Sequence, residues 1–94
     1  MTTWTLQNLG EVEDLSPAHG MGDVLEGRFA KAALGLEQTG ISLQRIKPGQ
    51  RLPFGHTHSV QEEIYVVLGG SGEMRVGDDV VVLAARLDAL RVAP

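Results

Sequence analysis

Two histidines and a glutamate in the middle of the chain have the spacing of a metal site. His56 and His58 flank Thr57. On an extended strand, side chains two apart leave the same face, so the two imidazoles would stand side by side as chelation requires. Glu63 follows after four residues, far enough for a short turn to return its carboxylate beside them. Two imidazoles and one carboxylate on one wall leave positions open for water, dioxygen or substrate. Nitrogen and oxygen donors without sulfur suit iron(II), manganese, nickel or zinc alike. The chain contains no cysteine that would change this donor set. An H-x-H by itself is weak evidence, more often two surface histidines than a site. The carboxylate, the strand after it and the pair Gly69–Gly70 strengthen the signal.

Other residues that could do chemistry are less telling. Glu62 precedes Glu63 and, by alternation, belongs on the opposite face as a solvated residue or as a partner of a ligand. Tyr65 and Val67 share the parity of Glu63, so Tyr65 either lines a pocket as a substrate contact or packs in the core with its hydroxyl satisfied at the rim. Phe54 fits packing under a loop better than guarding a pocket mouth. Arg45, Arg51 and Arg86 are isolated cations of the kind that usually face solvent. His19 has no ligand-type neighbour at ligand spacing and reads as a loop histidine. The run Gly69–Gly70–Ser71–Gly72 lacks the lysine and following helix of a phosphate-binding loop, so it reads as a turn between strands.

The elements that must position these groups are short and mostly extended. Glu63 to Leu68 (EIYVVL) is β-branched and aromatic, and glycines bound it. Glu73–Val76 and Val80–Leu83 flank Gly77–Asp78–Asp79 as a hairpin. Leu87 to Ala93 alternates as a further strand, and Ile41 to Ile46 as an earlier one. Lys47–Pro48–Gly49–Gln50 has turn chemistry, with Pro48 presetting φ and Gly49 supplying a positive one. Helix propensity favours Phe29 to Gln38, although Gly35 and Gly40 cut that run short. Residues 1–23 read as an N-terminal arm or edge strand, with Trp4 and Leu6 alternating against polar neighbours and an acidic turn at Glu11–Asp14. Residues 24–94 read as the β domain. Short strands at steady spacing with glycine-rich turns indicate an all-β sandwich or barrel.

Composition narrows the function classes. At 94 residues the chain is one small domain whose core alone is marginal, so a bound metal or dimerisation would help it. Eight basic against twelve acidic residues leave a formal charge of −4, which argues against a nucleic-acid partner. Neither a signal peptide nor an apolar run of membrane-spanning length is evident, so the expectation is a soluble, cytoplasmic protein.

The run from Pro48 to Gly72, PGQRLPFGHTHSVQEEIYVVLGGSG, resembles the first motif of the cupin superfamily. That motif is a glycine, five residues, H-x-H, three or four residues, a glutamate, six residues and a glycine. His56 and His58 match its histidines, and Glu63 with Gly70 match its glutamate and closing glycine. Glu62 with Gly69 also satisfies the pattern, but the E-E-I-Y-V-V-L-x-G layout of small cupins favours Glu63. Six residues rather than five separate Gly49 from His56. The second motif, which brings a further histidine, is expected about where the chain stops at Pro94. The resemblance, over roughly residues 40–94, implies a cupin-type jelly-roll β-barrel, incomplete at its C-terminal end. It also implies a divalent metal (Fe, Mn, Ni or Zn) on His56, His58 and Glu63, a small-molecule ligand or substrate, and a homodimer that exchanges N-terminal strands. Two functions follow: a metal-dependent enzyme acting on a small molecule, or a non-catalytic module for small-molecule binding or dimerisation.

Overall fold

The computed structural model describes residues 3–52, 62–84 and 88–93. The chain forms two units, Met1–Phe54 and Gly55–Pro94.

In the first unit, β1 (Leu25–Phe29) pairs antiparallel with β2 (Ser42–Ile46), in register from Leu25 opposite Ile46 to Phe29 opposite Ser42. β1 carries Gly27, a poor strand former, and it is held from the side away from β2. Asp14 Oδ1 accepts the Gly27 N–H at 2.9 Å and the Ser16 N–H at 3.0 Å, while Leu15 N–H donates to the Gly27 carbonyl at 2.9 Å. A side chain at position 27 would meet Ser16 Oγ at 3.1 Å and the Phe29 ring at 3.2 Å, so the close approach requires glycine. Around this seam Leu25, Ala30 and Ser16 are buried. No large side chain is fully buried among the described residues.

The helix expected over Phe29–Gln38 contracts to one turn, α1 (Lys31–Leu34). The ladder wins at its N-terminal end, because Phe29 belongs to β1 and Ala30 N–H donates to the Ile41 carbonyl at 3.0 Å. Gly35, at φ 67°, ends it at the other. The turn after β2 forms as the sequence indicates, with Gly49 at φ 75° and Gln50 N–H donating to the Lys47 carbonyl at 3.1 Å. Residues 3–7, where an edge strand was expected at Trp4 and Leu6, take no regular structure, and both side chains are exposed.

The second unit contains β3 (Glu63–Val66), β4 (Ser71–Val76), β5 (Asp79–Ala84) and β6 (Ala89–Val92). β4 and β5 form the expected hairpin, turning at Gly77–Asp78 with Gly77 at φ 60°. β3 pairs antiparallel with β6, from Glu63 opposite Val92 to Val66 opposite Ala89. Asp88 steadies the approach to β6: its carbonyl accepts Val67 N–H at 2.9 Å and its Oδ2 accepts Ala84 N–H at 3.1 Å. With antiparallel strand pairs throughout and almost no helix, the fold is all-β. Among the described residues the pairs do not close into a barrel. No helix there is long and apolar enough to cross a membrane.

Candidate functional site

Alternation along β3 sorts its side chains into two chemically distinct faces. Glu63 and Tyr65 are half-buried, and Leu90 and Val92 lie on the same side of the paired strand β6. Ile64 and Val66 leave the other face and are exposed. The adjacent acids are therefore separated. Glu62, on the Ile64 side, receives the Arg91 Nε–H on its Oε2 at 2.5 Å. Glu63 points the opposite way, with Tyr65.

Glu63 and Tyr65 are joined directly. The Tyr65 hydroxyl donates to Glu63 Oε2 at 2.5 Å, within the range of a charge-assisted O–H···O⁻ bond. Burial pushes the Tyr65 hydroxyl up from 10.0 to about 12, and Glu63 adds to this as acceptor and as a negative charge. The phenol thus remains a donor at every physiological pH. The pair lines a shallow cavity of about 160 Å³ together with Met74, Arg75 and Val76 from β4, Gly77 from the turn after it and Val92 from β6. Pockets for drug-sized ligands run to ~300–1,000 Å³. This one suits an ion with a few small ligands, or one end of a small organic molecule.

Of the predicted triad, Glu63 lies on this wall, while His56 and His58 fall outside the described residues. No three His, Cys, Asp or Glu side chains come together among the described residues. Phe54 and Arg86 also lie outside them. Arg45 pairs with Glu26 at 3.3 Å, and Glu26 also holds Arg28 at 3.1 Å, so its charge belongs to that cluster. His19 is exposed at the end of a 3-10 turn. Sequence reasoning overlooked the other residues lining the cavity and the partner of Glu62. Alternation in β4 already groups Met74 with Val76, but pairing with β6 is what brings Arg91 to Glu62 and Val92 to the cavity.

The family model for auxin binding protein, a germin/cupin-type family, matches residues 8–87. No curated protein and no solved structure matches the chain.

Proposed function

Because the chain belongs to the auxin binding protein family, we propose that it is a cupin-type small-molecule-binding domain that holds a divalent metal through His56, His58 and Glu63. The observation that supports this reading is the Glu63–Tyr65 pair, a half-buried carboxylate on the wall of a small cavity that Met74, Arg75, Val76 and Val92 also line. A carboxylate there is a suitable hard oxygen donor, and the H-x-H motif would complete a facial set of two imidazoles and one carboxylate. Glu62 is a poor rival, since it faces away and is engaged by Arg91. A bound ion would supply Lewis acidity toward an oxygen or nitrogen of the ligand. Met74, Val76 and Val92 would exclude water and contact the apolar part of the ligand. Auxin, the molecule for which the family is named, is the first ligand to try. The reading includes a homodimer, supported by the exposure of Trp4 and Leu6 on a segment that forms no strand among the described residues.

The test begins with metal content by elemental mass spectrometry on untagged protein, beside His56→Ala. Near-stoichiometric metal that disappears in the variant supports the three-ligand site. Calorimetric titration of auxin into metal-loaded and metal-free protein then separates the two functional classes. Binding that needs the metal supports the proposal, whereas equal binding without it leaves a metal-independent binding module. No uptake after soaking with iron, manganese, nickel and zinc overturns the metal assignment.

A further inference from the structure

We infer that the outer edge of β4 is a self-association surface, on which a second copy of this chain adds its own β4 antiparallel, centred on Met74. The inference needs neither the metal nor the exchange of N-terminal strands.

β4 (Ser71–Val76) pairs with β5 on one side, and among the described residues no strand takes its other edge. The two-residue turn at Gly77–Asp78 makes Val76 and Asp79 a hydrogen-bonded pair. Alternation then turns the N–H and C=O groups of Arg75 and Glu73 outward, away from β5. No proline, lysine or bulge blunts this edge, and such an edge is a template for another strand. The edge of β5 is less open, because Asp88 Oδ2 already takes the Ala84 N–H at 3.1 Å.

The side chains of β4 select the partner. Glu73 and Arg75 share the exposed face of the strand, and neither is in an ion pair among the described residues. Arg75 Nε–H donates to the Gly77 carbonyl at 3.2 Å, which leaves its charge unmatched. A two-fold axis at Met74 sets Glu73 opposite the partner's Arg75, and Arg75 opposite the partner's Glu73. Each of these pairs then exchanges two backbone hydrogen bonds, and opposite charges facing across a strand pair attract. Centring on Glu73 or on Arg75 instead would set like charges directly opposite, which is unfavourable. On the other face Met74 meets the partner's Met74, and Gly72 leaves room for the partner's Val76. The edge is complementary to itself, and that points to a second copy as its occupant.

The test is sedimentation velocity of the full chain over a concentration series, for wild type, Glu73→Arg, Arg75→Glu, the double exchange and an equimolar mixture of the two single variants. Each single variant sets two like-charged pairs across the axis and should associate ~10–100-fold more weakly. The double exchange and the mixture restore opposite charges and should recover the wild-type profile. Met74→Cys, in a chain without cysteine, should cross-link to itself on mild oxidation, since a non-hydrogen-bonded antiparallel pair has the Cα spacing of a disulfide. Val80→Cys, exposed on β5, should not. A monomeric wild type, single variants that sediment like wild type, or a mixture no more associated than its components would overturn the inference. Association lost in Trp4→Ala but indifferent to the charge variants would overturn it too, and leave N-terminal exchange as the contact.

Discussion

Glu62 and Glu63 are chemically identical neighbours, so replacing each in turn by glutamine isolates the effect of the face on which it stands. Glu62 meets Arg91 across the strand pair at 2.5 Å, but both side chains are more than half exposed. Solvent screening limits such a pair to about 0.5 kcal/mol. Glu62→Gln should therefore lower the melting temperature by only ~2–4 °C for a domain of this size. The loss should vanish in an Arg91→Ala background, where the partner is already gone. Metal affinity should stay within about twofold of wild type, since this carboxylate leaves the face opposite the cavity. On the proposed reading, Glu63→Gln removes a metal ligand outright. Its effect should reach at least the upper end of what groups behind a ligand contribute, about 100-fold, or about 2.8 kcal/mol. Zinc or cobalt(II) calorimetry beside differential scanning calorimetry measures both effects on the same samples. Equal losses of affinity at the two positions would refute the reasoning, because alternation along β3 would then not decide which acid binds.

Tyr65 should titrate near 12 rather than 10.0, and as the only tyrosine it can be followed directly by its ultraviolet absorbance. The native state favours the protonated phenol, so the stability this contributes is complete below pH 10.0 and is lost as pH rises through about 12; a midpoint at the ordinary tyrosine value would contradict the Glu63 contact. Asp14 behaves in the opposite sense. The Gly27 and Ser16 N–H groups hold its carboxyl below 3.8, so its contribution is complete above that value and is lost as pH falls through the lowered native one. Asp14→Asn should flatten the acid limb of a denaturation series, and an unchanged limb would show that the two N–H bonds do not favour the charged form. Gly77→Ala forces a side chain onto a residue at φ 60° and should cost about 1–2 kcal/mol, whereas Gly77→Asn should cost much less. Chemical denaturation compares the two, and equal losses would rule out backbone strain as the cause. Trp4→Ala should shift the sedimentation profile toward monomer, and an unchanged profile would count against an exchanged N-terminal strand.

Much of the second unit can be read from the order of residue types. The β-branched run at Glu63–Leu68 and the Gly77 turn require only local chemistry, since strand residues alternate faces and glycine tolerates a positive φ. Alternation alone also separates Glu62 from Glu63 and aligns Glu63 with Tyr65. Local rules could not foresee β1. Leu25–Phe29 is interrupted by Gly27 and precedes alanines that favour helix, and it becomes a strand because Asp14, thirteen residues earlier, and β2 supply its hydrogen-bond partners. The same pairing draws Phe29 and Ala30 out of the expected helix. At the site, the sequence names the carboxylate and the phenol and puts them on one face. Only the folded chain decides that they bond, that Arg91 holds the other acid and that Met74, Arg75 and Val76 of β4 and Val92 of β6 line the same cavity. Those outcomes depend on contacts between residues distant in sequence, whose energies no local pattern contains.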